Sequence, residues 1–510
     1  MASDGIRLRY AGILNFAALV VRLMISMGFI IVVTRRLSVE EFGLWILTIS
    51  LISYLNMPMG LWSYWYPRSI ARGVPGSFGT GLMLTTIYLP LALVIYCVVA
   101  YGLYLYVTGW GLECMLTYGV LLLAISIILS FLLAIPGTVA PEVYGYSTIV
   151  YETLRLPLSY LLVALLYLGV GGALLTVTLA LLVSGIITFT LLRARGVKWD
   201  GIDFSLAKRW FKGSLIPFTG VINSLLGGVD SILLAFLSRS EVPVAYMAVG
   251  YSLRGPIAYG GATSSSLYAK MLRGGSARDV EEVTRLYFAI TLFMFTTVLC
   301  LAPSLISLLN PVYRDAYWIV FITSVLALIQ GVIGIFGSVV GGREEVDLKP
   351  DVSVKDYVKS KLFKWSLLST ITLVVGLSIG SILLLIFLHS SNAVLLASAY
   401  PIGWLVSWCI FLPTYYHMTK KVIDFKIPWR DIAPFMVAGV CSALCYVLLG
   451  SNSIIIELFW RDMPILLTHV IVAGLAYLVI SYALSSWFRD FLRAAKRFVL
   501  IEVFRVGGIS

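Results

Sequence analysis

The sequence predicts an all-α polytopic membrane protein of about 14 transmembrane helices, and three observations carry that prediction. Of 510 residues, 60% are hydrophobic and 12% charged, against roughly 25% charged in ordinary soluble domains, and the mean hydropathy is +0.96. Apolar runs long enough to cross a hydrocarbon core of about 30 Å, roughly 20 residues each, follow one another with short turns between them. The basic residues are also segregated. With the N-terminus placed in the cytoplasm, 29 of the 37 Lys and Arg residues fall in inner segments, 5 in outer loops and 3 within spans, a strong positive-inside bias that puts both termini in the cytoplasm. The composition excludes a water-soluble fold and explains the net charge of +12 by topology, so no nucleic-acid partner is expected.

The expected spans are 11–34, 42–65, 79–106, 114–136, 147–169, 171–192, 213–237, 244–268, 286–309, 315–340, 363–388, 393–417, 432–450 and 464–486. The first run is too long for a cleavable signal, carries Arg22 at its middle and has no small-residue cleavage site before the next span, so it is expected to be a permanent helix. Asn15, Arg22 and Ser26 stand at i, i+7 and i+11 on one face of it. An arginine at the centre of a span costs about 2.5–3.5 kcal/mol on insertion scales, so this face is expected to meet a cavity or a neighbouring helix. Two readings follow: a cavity cation for an anionic substrate, or an arginine locked to a carboxylate or to helix carbonyls.

Span two carries Pro58 and Gly60 and closes in Trp62, Tyr64, Trp65 and Tyr66, an aromatic belt at the inner interface. Span five places Glu152, Arg155 and Ser159 on one face near its inner end. An intrahelical pair with Arg155 snorkelling to the cytoplasm is the first reading, and membership of a cavity the second. Span seven aligns Asn223, Gly227 and Asp230, and span eight aligns Tyr251, Arg254, Ala258 and Gly261. Asp230 and Arg254 lie about 10 and 15 Å from the outer end of that hairpin at 1.5 Å per residue. They form either a static salt bridge or a pair that opens on binding. Pro157, Pro217 and Gly255-Pro256 break further spans, as hinges for alternating access or as fixed kinks.

Longer inner connections after spans six and ten suggest an organisation of residues 1–195 as a six-helix N-terminal lobe, 196–212 as a cytoplasmic linker and 213–420 as a second six-helix lobe. An additional helix pair at 421–488 and an amphipathic tail at 489–510 complete it. Residues 35–46 and 237–248 close the first and seventh hairpins with loosely similar text, as expected of duplicated halves. Segments 353–364 and 487–505 read as basic amphipathic helices on the inner surface.

Enzyme chemistry is poorly supplied. The six cysteines lie in or beside apolar runs and read as buried small hydrophobes, and His389, His417 and His469 are too scattered for a metal site, so no metal or other cofactor is expected. No Gly-rich phosphate loop joined to Lys-Ser/Thr is present, so ATP is not the expected energy source. The short outer loops offer only Glu40, Glu41, Glu113, Glu241, Asp315, Glu457 and Asp462, which disfavours a membrane glycosyltransferase. Transport driven by an ion gradient, the membrane potential or the substrate's own gradient is left.

The hairpin Arg36-Leu37-Ser38-Val39-Glu40-Glu41-Phe42-Gly43-Leu44-Trp45, together with Asp230-Ser231-Ile232-Leu233-Leu234 and Glu241 through Tyr246, resembles Wzx-type polysaccharide or oligosaccharide flippases. Their superfamily also holds lipid II flippases and multidrug and toxin extrusion antiporters. The resemblance implies two six-helix bundles packed as a V around a central cavity, with two extra C-terminal helices at the periphery. It implies a polyprenyl-linked oligosaccharide flipped from the inner to the outer leaflet of the cell membrane, a coupling cation such as H+ or Na+, and a functional monomer among membrane lipids. Carried over, Arg22 and Arg254 would meet the pyrophosphate or acidic sugars, since guanidinium binds phosphate bidentately. Asp230, Asn15, Asn223, Tyr251, Arg155 and Glu152 complete the candidate cavity set. The alternative is a cation-coupled multidrug antiporter with Asp230 as the coupling acid.

Overall fold

In hydrocarbon a backbone amide has no water to bond, so a spanning segment must satisfy its own hydrogen bonds, and apolar runs of this length become helices. The computed structural model describes residues 22, 25–272, 274–344, 354–390, 392–457 and 459–498, and among them it is helical throughout, with turns between. After helix α1, seen over residues 25–36, come α2 (Val39–Ser63), α3 (Ser77–Thr108), α4 (Leu112–Val139), α5 (Glu142–Leu165), α6 (Gly169–Ala194) and α7 (Pro217–Ser238). Then follow α8 (Val242–Leu253), α9 (Ala277–Cys300), α10 (Pro311–Gly342), α11 (Lys361–Ser390), α12 (Ala393–Lys420), α13 (Trp429–Leu448) and α14 (Trp460–Leu484).

Twelve of these are long and apolar enough to cross a membrane, two fewer than the sequence count. Most of the first expected span, including Asn15, lies outside the described residues. The eighth is broken: α8 ends at Leu253 and the chain continues as short helices Gly255–Tyr259 and Thr263–Leu272 around a tight turn at Gly260–Ala262. Pro256, with no N–H, and the Gly260-Gly261 pair account for the interruption. The chain is therefore a multi-pass membrane protein whose eighth span is segmented.

Local chemistry sets the helix ends. Ser38 caps α2 by accepting the Glu41 amide at 3.1 Å while the Glu41 carboxylate accepts the Ser38 amide at 2.9 Å, a reciprocal capping box. Glu41 is thus a structural acid, and two other acids near helix ends have partners as well: Glu241 accepts from Trp110 Nε1 at 3.1 Å, and Asp462 from Arg461 Nε at 2.7 Å. Inside the spans, several threonine hydroxyls bond back to carbonyls one turn earlier, as Thr48 does to Leu44 and Thr178 to Leu174, both at 2.8 Å, which satisfies those buried hydroxyls within their own helix.

Two compact units emerge. One holds residues 1–248, 353–359 and 366–403, and the other 249–352, 360–365 and 404–510. Within the first, helices approach where side chains are smallest. A Cβ built on Gly403 of α12 would stand 2.5 Å from the Gly376 carbonyl oxygen of α11, and one on Gly43 of α2 would stand 2.4 Å from the Glu241 carbonyl oxygen. The lipid offers apolar side chains no hydrophobic gain on association, so such close backbone packing supplies dispersion contacts instead. In the second unit, Arg285 Nε on α9 reaches Asp431 on α13 at 2.7 Å and ties two helix ends together.

The linker is docked onto the end of α3. Asp200 accepts the Phe78 amide at 3.2 Å, the Asp203 amide donates to Thr80 Oγ1 at 2.8 Å, and Asp203 caps the linker helix Phe204–Lys212 by accepting the Ser205 amide at 2.8 Å. Those bonds to Ser205 hold the Asp203 carboxyl below the usual aspartate range. Leu206, Ala207 and Trp210 turn inward, and Lys208, Arg209 and Phe211 outward.

Gly43→Ala is expected to cost about 1–3 kcal/mol by forcing α2 off the Glu241 backbone. Gly220→Ala, with nothing within 4 Å of the added carbon, should be neutral or gain up to about 1 kcal/mol from helix propensity. Thermal unfolding of both variants in detergent checks the contrast.

Candidate functional site

Helix α5 begins at Glu142, earlier than the sequence expectation, so Glu152 lies ten residues into the span, about 15 Å deep at 1.5 Å per residue. It stands mid-span rather than near the inner end. Arg155, one turn further on, forms the intrahelical pair with Glu152. Its guanidinium turns across to α1.

The result is one cluster built from two helices. Glu152 is 2% exposed and pairs with Arg155 Nη2 at 2.8 Å and with Arg22 Nε at 3.7 Å. Ser26 joins them: its hydroxyl accepts from Arg155 Nη2 at 2.6 Å and donates toward the Glu152 carboxylate at 3.3 and 3.4 Å. Arg155 also lies over the Phe29 ring at 4.5 Å and reaches Tyr151 Oη at 3.4 Å. Two arginines face one carboxylate, so the cluster carries a net positive charge. Arg155 Nε is buried and has no hydrogen-bond partner among the described residues, which leaves a charged donor unmet in a place where unmet donors are costly.

The cluster lines a cavity of about 340 Å³ together with Tyr144, Ser147, Thr148, Tyr151 and Ser184. Arg22 is the open member, with half of its side chain exposed. The sequence reading had Arg22 and Ser26 on one stripe and Glu152 with Arg155 on another, without joining them. It also missed a signal: Tyr144, Thr148, Tyr151 and Arg155 stand at i, i+4, i+7 and i+11, a polar face along α5.

The remaining expected residues are held locally. Asn223 on α7 is tied to α11, donating to Ser366 Oγ at 3.2 Å and accepting from Thr370 at 2.6 Å. Asp230 is buried at the first residue of the helical segment Asp230–Ser238, where α7 is interrupted after Gly228, and accepts the Ser231 amide at 2.8 Å. The free amides and dipole of a helix start favour a carboxylate there. Arg254 belongs to the second unit, half-buried at the joint between Val242–Leu253 and Gly255–Tyr259, with its guanidinium 4.4 Å from the Tyr251 ring centroid. Asp230 belongs to the first unit. Asn15 is outside the described residues. Among the described residues, no group of His, Cys, Asp and Glu is arranged to hold a metal ion.

Glu152→Ala leaves Arg155 buried without its anion and is expected to cost about 3–5 kcal/mol. Arg22→Ala, removing a half-exposed partner at 3.7 Å, should cost about 1 kcal/mol or less. Glu152→Ala/Arg155→Leu should recover most of the first loss. Melting temperatures of the three variants in detergent provide the check, and equal losses in the two single variants would contradict the ranking.

No protein-family model matches the chain, and no curated protein does. Solved structures do. Similar ones include an inward-facing multidrug resistance MATE family transporter of the MOP superfamily, with TM-score 0.59, 15% identity, and coverage of 79% of this chain and 95% of that one. An outward-facing MATE family transporter of the same superfamily gives 0.55 and 16%, covering 80% and 94%. The lipid II flippase MurJ in an inward closed conformation gives 0.65 and 12%, covering 94% of this chain and 100% of that one. At such identities the likeness establishes the fold: the chain has the helical architecture of the MATE transporters and of this flippase.

Proposed function

We propose that the protein is a transporter that moves an anionic, lipid-linked oligosaccharide across the cell membrane by alternating access, from the cytoplasmic to the outer leaflet. The observation that carries this reading is the mid-span cluster of Arg22, Arg155, Ser26 and Glu152 around a polar cavity. Its charge is net positive, and Arg155 Nε is unmet. A phosphate or pyrophosphate has the charge and the acceptor oxygens to take that donor and to compete with Glu152 for the two guanidinium groups. Arg254, on a broken helix beside Tyr251, is assigned to the same substrate in this reading. Asn223 and Tyr251 are assigned to substrate binding in this reading. The flippase match spans 94% of the chain and the MATE matches 79–80%, a difference the size of two spanning helices, which favours the flippase side of the superfamily. Both termini are placed in the cytoplasm and the chain works as a monomer, without chemistry of its own.

A second reading has one observation in its favour. Asp230 is buried at a helix break in α7, a place where a proton or sodium ion could drive antiport of an organic cation. Coupling of this kind is compatible with the flippase as well, with H+ or Na+ as the coupling ion.

Proteoliposomes holding the purified chain and a fluorescent polyprenyl-pyrophosphate oligosaccharide test the proposal. Arg155→Ala and Arg22→Ala should lower flipping about 10- to 100-fold, the value of one or two charge-assisted hydrogen bonds. Arg22→Lys should retain part of the activity. Wild-type flipping in every variant overturns the assignment. Uptake of an organic cation that is abolished by Asp230→Asn, with no flipping, selects the antiporter.

A further inference from the structure

At the opposite pole from the mid-span cluster in charge placement, the end of α6 and the docked linker enclose a second site. A cavity of about 510 Å³ is walled by Phe78, Leu132 and Phe189 and edged by Arg193, Lys198 and Trp199. An adjoining cavity of about 380 Å³ shares Phe78 and Lys198 and adds Arg195 and Asp200. The neighbouring charges are already used: Arg195 pairs with buried Glu142 at 2.8 Å, and Asp200 accepts the Phe78 amide. Arg193 and Lys198 have no ion pair with any described residue. Both are exposed at the rim.

The wall and the rim ask for different halves of a ligand. Phe189 is 44% exposed on α6, and Trp199, Ile202 and Phe204 on the linker are 66%, 50% and 73% exposed. Large apolar side chains at the end of a spanning helix belong at the boundary between headgroups and acyl chains. The turn beneath the pocket is hydrogen-bonded as well. The helix ends with the Gly196 and Val197 amides bonded to the Arg193 and Leu192 carbonyls at 3.0 and 3.1 Å, and Gly196 takes a left-handed φ of +85°.

We propose that this pocket is a binding site for an anionic phospholipid, whose phosphate meets Arg193 and Lys198 and whose acyl chain lies along Phe189 and Leu132. Basic pockets between helix ends attract such headgroups, each cation contributing near the surface, and the apolar wall excludes a purely water-soluble anion as the natural occupant.

Native mass spectrometry of the delipidated full-length chain, titrated with phosphatidylglycerol or phosphatidylcholine, tests it. Two cations predict a phosphatidylglycerol preference of about ten- to thirty-fold, lost in Arg193→Ala/Lys198→Ala and kept in Lys421→Ala, a basic residue elsewhere on the surface. If the double variant does not fold, Lys198→Gln on the exposed linker should lose about three- to five-fold. An unchanged preference in the pocket variants, an equal loss in Lys421→Ala, or equal retention of phosphatidylcholine overturns the proposal. So does displacement of phosphatidylglycerol by an equal concentration of inorganic phosphate, which would mark a free-anion site.

Discussion

A buried charge in a hydrocarbon medium must find its counter-charge inside the protein, and the Glu152 carboxylate is where that constraint is met most tightly. Arg155, Arg22 and Ser26 all converge on it, and two of the three come from another helix. Removing any water from the surroundings strengthens each of these interactions and raises the penalty for breaking them. The cluster therefore does two things with one set of contacts. It fixes α1 against α5, and it holds two guanidinium groups beside a cavity in the middle of the span. An anion entering that cavity would meet groups already oriented by the fold.

Around this polar centre the helices are held by means suited to lipid. Small residues let backbones touch, as Gly403 does against Gly376 and Gly43 against Glu241. Hydroxyls close on their own helices, and tyrosines reach carbonyls of neighbours, as Tyr66 Oη does to Phe131 and Tyr477 Oη to Ala289, both at 2.8 Å. None of these contacts needs the hydrophobic effect, which is absent between helices already surrounded by apolar solvent. At the helix ends the interactions change in kind. Capping boxes, ion pairs such as Arg195 with Glu142, and the docked linker appear where water is available and charge is cheap.

Much of the architecture was legible in the sequence because span formation is local. Twenty apolar residues must form a helix wherever they sit, so the spans could be counted from composition, and of the twelve that meet length and hydropathy eleven fall within about five residues of expectation, while the ninth, expected over 286–309, runs from Ala277 to Cys300. The interruption of the eighth was also foreshadowed by Gly255-Pro256, while the turn at Gly260–Ala262 was not. The early start of α5 was not, because Pro141, Glu142 and the tyrosines after it lower the local hydropathy while still forming helix. That shift of one and a half turns moved Glu152 from an interfacial to a mid-span position, and with it changed the meaning of Arg155.

The sequence by itself determined the class of protein, its run of spans and the identities of the few charges that lie within them, because each depends on the transfer of one segment from water to lipid. Only the tertiary structure decided which of those charges meet. Ser26 and Glu152 are 126 residues apart, and no hydropathy pattern records that two polar stripes on different helices face each other. The same holds for the linker, which the sequence marks only as a connection between lobes and which is found with Asp200 and Asp203 bonded to the start of α3. Helix pairing is chosen by the summed fit of whole surfaces, and a polar group finds its partner only after that fit has been made.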